Sequence, residues 1–272
     1  LACDFKPSDI VCAPGQGAET CLTPDEAGVV ARIYSGPFNS KGERLYRGQA
    51  VGSEMNWGNY LGHNGQPGAF WSLTDTTLQH LAFLPSPGPA YRIQQFDFDR
   101  DPARLASNDV LFNHNNPDLS EFRDRGGKLI IYQGWNDNNN IPPQLAIDYY
   151  SKVQQAMGGP VEARKIARLF MLPAALHCRY GEGGGEADWL TALEQWVEHG
   201  RAPEEIIAYR MKQEPYASAP SDSGGNPELR LPRHPLSADS YVSARPVYAW
   251  PRVARYRSGN PQLPGSWVAV TR

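Results

Sequence analysis

The spacing of hydrophobic positions changes near residue 128. Beyond that point, KLIIYQGW and ARLFMLP are short, continuous apolar runs bounded by glycine or proline. Such runs are the pattern of strands buried on both faces of a parallel sheet. Between them, PPQLAIDYYSKVQQAMGG places apolar residues at helical spacing, opened by proline and closed by glycine. EADWLTALEQWVEHG predicts a further amphipathic helix, with Trp189, Leu190, Leu193, Trp196 and Val197 on one face. Strand, helix, strand, helix within about 75 residues is the rhythm of an α/β protein.

Upstream the pattern is weaker. TPDEAGVVARIYSG predicts a helix in which Thr23 caps, Pro24 opens and Glu26 stands in the first turn. Residues 37–95 are aromatic and rich in Gly, Asn and Pro, with one helix-like piece around TDTTLQHLAFL, and read as a cap or insertion. DPARLASNDVLFNHNNPDLSEFRDRGG predicts a short helix and then a second one, DLSEFRDRG, closed by glycines. Past residue 212 the chain is rich in Pro, Ser and Arg and is expected to be an irregular tail wrapping the domain.

Composition narrows the function classes. A net charge of −3, with both signs mixed along 272 residues, leaves no basic stripe for nucleic acid and no polybasic membrane patch. The apolar runs are too short to span a bilayer. The first residues, LACDF, show neither a starting Met nor a signal peptide, so the chain reads as a mature product or a fragment. Of its four cysteines, Cys3, Cys12 and Cys21 recur every nine residues and Cys178 follows a histidine. No C-x-x-C pair supports zinc, and disulfides in an oxidising compartment are the better reading. Cys12 and Cys21 can close a short loop, which leaves Cys3 and Cys178 to pair with each other or with something outside the chain.

In open α/β sheets, functional groups gather beyond the carboxyl ends of the strands. Asp137 follows the first apolar run and His177 the second. Each alone has a plainer reading, Asp137 as a turn residue in NDNNN and His177 as a structural histidine against the sheet. Together, at matching strand ends, a carboxylate and an imidazole make two thirds of a nucleophilic triad. They also stand in the α/β-hydrolase order, Asp before His. The nucleophile is missing: no G-x-S-x-G occurs, and Ser53 in AVGSEMNWG lacks the strand–turn–helix setting. SDSGGNP around Ser223 resembles the nucleophile loop of trypsin-like proteases. However, 46 residues separate it from His177, too few for the rest of that fold, and they are helical in pattern.

GGKLIIYQGWNDNNNIPPQLAIDYY, ARLFMLPAALHC and ADWLTALEQWVEHGRAPEEIIAYR resemble the tannase and feruloyl esterase family of α/β-hydrolases. The similarity extends to ACDFKPSDIVCAPGQGAETCLTPDE, RIYSGPFNSKGERLYRG, NNPDLSEFRDRGG and RPVYAWPRVARYRSGN. The resemblance implies that residues 1–125 belong to a substrate-covering lid and residues 126–272 to the C-terminal part of the catalytic domain. Asp137 and His177 match the triad Asp and His, while the serine, in a Gly-Cys-Ser elbow, lies upstream of Leu1. Cys12 and Cys21 match a lid disulfide; Cys178 matches the cysteine that pairs beside the serine, and Cys3 pairs with one just upstream. The lid calcium ligands are expected upstream too, so neither metal nor cofactor is expected in this chain.

On this reading the protein is a secreted or periplasmic serine esterase of aromatic (phenolic) acids, working with an N-terminal segment of the same precursor that disulfides can link to it. Trp57, Phe70, Trp71 and Phe83 are candidates for the aromatic pocket. The competing reading is a non-catalytic lid and scaffold that binds phenolic or carbohydrate rings. The sequence departs from the family at Gln133, where a His is usual, at Asn138, where a Pro is usual, and at PVYAWP, which lacks a cysteine.

Overall fold

In a computed structural model, which describes residues 4–17, 19–54, 57–62, 65–137, 141–177, 181–212 and 234–271, the chain divides into two units. One comprises Leu1–Asn115 with Asn138–Leu145, the other Asn116–Asp137 with Ala146–Arg272. Tyr149 donates its hydroxyl to the Asn116 carbonyl at 3.1 Å, and Gly127 donates its amide to Phe122 at 2.9 Å. Residues 116–125 are thereby fastened to the strand and helix that follow.

The first unit is helical and loop-rich. Cys12 and Cys21 form a disulfide, and Val11 bridges Leu22 beside it. Helix α1 (Pro24–Ser35) starts as its sequence predicts. Thr23 Oγ1 accepts from the Glu26 amide, and Glu26 accepts in return from the Thr23 amide. Helices α2 (Gly58–Leu61), α3 (Ala69–His80) and α4 (Asp101–Phe112) follow. The expected short helix at DPARLASNDVLF thus runs a full twelve residues. Its first residue, Asp101, is fully buried and accepts hydrogen bonds from Arg100, Arg104, the Tyr91 hydroxyl and the Asp97 amide. The Arg100 guanidinium, seconded by these other donors, holds the Asp101 carboxyl far below the ordinary range despite its burial.

In the second unit, α5 (Ser120–Asp124) leads into β1 (Leu129–Gly134). Helices α6 (Gln144–Ala156) and α7 (Pro160–Ala163) then return the chain to β2 (Ala167–Leu172). The two strands are parallel, in register from Leu129–Ala167 to Gly134–Leu172. Every residue of β2 is buried, as its sequence predicts. β1 differs from the doubly buried expectation, because Tyr132 is 42 % exposed and lies flat on Trp189, with ring centroids 4.4 Å apart.

Next come β3 (Glu186–Ala187), α8 (Trp189–His199), β4 (Glu205–Met211), β5 (Tyr241–Tyr248), β6 (Arg252–Tyr256) and β7 (Trp267–Thr271). β3, β4 and β5 form one antiparallel sheet, and β6 pairs with β7. The expected irregular tail is therefore corrected over residues 241–271, which hold three strands; residues 213–233, Ser223 among them, lie outside the described residues. The face of α8 is also corrected. Trp196 is buried and Trp189 and Ala192 pack on the core, while Leu190 and Val197 are exposed. The core gathers Phe170 and Leu172 from β2 with Ile206, Ala208, Val247 and Ala249. Phe170 also bridges Ala249, so β2 is flanked on both sides.

Candidate active site

Parallel strands of equal length put their carboxyl ends side by side, and here both ends turn at once. After Gly134 the Trp135 amide donates to the Leu172 carbonyl at 3.0 Å, and the Asn136 amide to the Ala175 carbonyl at 2.9 Å. These two bonds tie the turn leaving β1 to the turn leaving β2. The close approach needs glycine at 134, because a Cβ there would lie 2.3 Å from the Ala175 oxygen and 2.5 Å from that of Leu176. On the β2 side, Ala174 takes the left-handed conformation at φ +53°, unusual for a residue with a Cβ. Ala175 then bridges Gly181, closing the loop that carries His177.

The turns bring the two singled-out residues together. His177 Nδ1 lies 2.9 Å from Asp137 Oδ2, across 40 residues of sequence. The Asp137 side chain is 1 % exposed and that of His177 34 %, so the carboxylate is sheltered while the ring reaches outward. A buried carboxylate accepting from Nδ1–H fixes the imidazole tautomer and leaves the Nε2 lone pair as a base. Gln133, the last side-chain-bearing residue of β1, donates Nε2–H to the same Asp137 oxygen at 2.7 Å. The strand-end reasoning does not reach this contact. Its sequence signal is the spacing of four across a strand end, with an amide facing a carboxylate. Gln133, Asp137, Leu172 and His177 line a cavity of about 190 Å³.

Other candidates are placed differently. Trp57 and Phe83 are core residues of the first unit. Trp57 packs edge-on against Tyr34 and donates Nε1–H to Ser53 Oγ, and Phe83 sits among Tyr91, Phe96 and the Arg104 guanidinium. Phe70 is half-buried and Trp71 is 36 % exposed. Ser53 is buried, its hydroxyl spent on the Ala50 carbonyl, which sets it apart from a reactive serine. Cys3, Cys178 and Asn138 lie outside the described residues. Among the described residues, no group of three or more His, Cys, Asp or Glu side chains is arranged to hold a metal ion. No helix there is long and apolar enough to cross a membrane.

A family profile described as "Tannase and feruloyl esterase" matches residues 1–265. The chain belongs to the tannase and feruloyl esterase family. Among curated relatives, the mono(2-hydroxyethyl) terephthalate hydrolase of Piscinibacter sakaiensis is 35 % identical over 224 residues, covering 71 % of this chain and 36 % of that protein. Feruloyl esterase C of Talaromyces stipitatus is 32 % identical over 212 residues, covering 72 % of this chain and 38 % of that one. The crystal structure of an esterase from Aspergillus oryzae superposes with a TM-score of 0.78 at 26 % identity, over 98 % of this chain and 50 % of its own. The fold is accordingly of the α/β-hydrolase type, and β1 and β2 are part of its parallel sheet. The chain spans half or less of the length of these relatives.

Proposed function

We propose that this chain carries the base and the orienting carboxylate of a carboxylic ester hydrolase, and that a serine from outside these 272 residues completes the triad. The observation that carries the reading is the 2.9 Å contact between His177 Nδ1 and a sheltered Asp137 carboxylate at the mouth of a cavity. The serine hydroxyl attacks the ester carbonyl while His177 Nε2 takes its proton. The imidazolium, stabilised by Asp137, passes that proton to the departing alcohol and leaves an acyl-enzyme. A water deprotonated by His177 then releases the acid. The oxyanion donors accompany the serine.

The names of the relatives, a terephthalate half-ester hydrolase and feruloyl esterases, support an aromatic acyl group as substrate. Trp71 and Phe70 are the members of the aromatic set with surface left to meet it, and the first unit serves as lid. Cys3 and Cys178 bond to the serine-bearing segment, in a secreted or periplasmic protein. Two measurements test this reading. Reductant releases from the native protein a peptide containing Gly-Cys-Ser, seen by intact mass. With that segment present, His177→Ala lowers turnover of a feruloyl or galloyl ester by a factor on the order of 10⁴. Turnover close to wild type removes His177 from the mechanism.

A further inference from the structure

Gln133 donates to the same Asp137 oxygen that His177 contacts. We propose that Gln133 is a positioning residue, its amide locking the Asp137 carboxylate in the rotamer and plane that meet His177. The inference rests on the Asp–His reading above and deepens it.

Asp137 sits three residues beyond the end of β1, on a turn, where a carboxyl group has two soft torsions. Its Oδ2 receives both His177 Nδ1 at 2.9 Å and Gln133 Nε2 at 2.7 Å. One carboxylate oxygen has two lone pairs, so both donors fit. The two donors come from different elements, one from the strand and one from the loop after β2. Gln133 is inside β1, and its backbone is fixed by pairing with Met171, so the amide transmits the rigidity of the sheet to the carboxylate. An amide also donates at every pH.

The test reads the His177 ring directly in the ¹⁵N-labelled chain. In the wild-type chain the ring is the Nδ1–H tautomer, with a downfield proton shared with Asp137. Gln133→Met keeps the shape without the donor, and the proton resonance moves upfield as the Nε2–H tautomer appears. Gln133→His restores the wild-type signature. An unchanged tautomer and proton resonance in Gln133→Met overturns the proposal. If the methionine variant does not fold, Gln133→Ala read the same way takes its place. A wild-type ring already lacking the Nδ1–H tautomer sinks the Asp–His reading itself, which is a different failure. With the serine-bearing segment present, Gln133→Met lowers kcat about 10- to 100-fold and leaves KM of the feruloyl ester within about twofold. A change in KM alone marks Gln133 as a substrate contact and overturns the positioning role.

Discussion

At the residue scale, the site depends on how closely two backbones approach. Gly134 does not take a positive φ, so its requirement is steric: an added methyl meets the carbonyls of Ala175 and Leu176. Carbonyls fixed in a turn cannot withdraw as a flexible side chain can, so the loop bearing His177 must shift. Gly134→Ala is expected to cost about 1–3 kcal/mol of stability, read as a lower denaturation midpoint. It is also expected to weaken the His177–Asp137 contact, read as loss of the downfield ring proton. The Asp–His pair was legible because strand ends, chain order and residue type all pointed one way. Gln133 was visible only as a departure, since an amide's partner depends on a turn geometry that spacing alone does not give. The four aromatic candidates show the same limit. Aromatic type and region do not separate Trp57 and Phe83, packed into the core, from Trp71 at the surface.

At the element scale, legibility followed periodicity. β2 reads ARLFML and is buried throughout, and α1 has a complete capping box, so both emerge from local rules. The strands at 205–271 escape the sequence pattern for identifiable reasons. β5 contains Pro246, which argues against a strand, yet β5 stands at the end of the order β3-β4-β5, where proline is tolerated. β6 and β7 are five residues each, within a Pro- and Arg-rich context that masks their alternation. The contrast in burial sets an expected contrast in energy. Leu169→Ala, at a position with no exposure, costs about 2–5 kcal/mol. Thr23→Ala, which removes one cap of an exposed helix, costs about 1 kcal/mol. Equilibrium denaturation of the two variants checks both. Equal costs would mean that the sheet is less well packed than its burial implies.

At the scale of the whole molecule, the second unit is held at the end of β2 remote from His177 by one carboxylate shared among three guanidinium groups. Glu204, just before β4, accepts from Arg164 after α7, from Arg168 in β2 and from Arg252 in β6. The Arg168 side chain is 6 % exposed, lies 5.0 Å over the Trp196 ring and is the costly member of the set, because burial disfavours its charge. Burial also opposes ionisation of Glu204, but Arg168 and Arg164 outweigh it and hold its carboxyl below the ordinary glutamate value. A carboxyl depressed in the folded state contributes stability that is complete above the unfolded pKa and is lost as pH falls through the folded one. Acid should therefore loosen this unit below the ordinary glutamate range. Glu204→Gln brings much of that loss to neutral pH by leaving Arg168 buried without a countercharge. The expected cost is about 3 kcal/mol, at the low end for a buried pair because Glu204 is itself half exposed and partly screened by solvent. Thermal midpoints of wild type and variant should converge as pH is lowered, since a protonated Glu204 and the amide that replaces it in the variant lack the same charge. Parallel curves across that range would assign the stability of this end of the sheet to the apolar packing of Phe170, Ile206 and Val247 rather than to the arginine cluster.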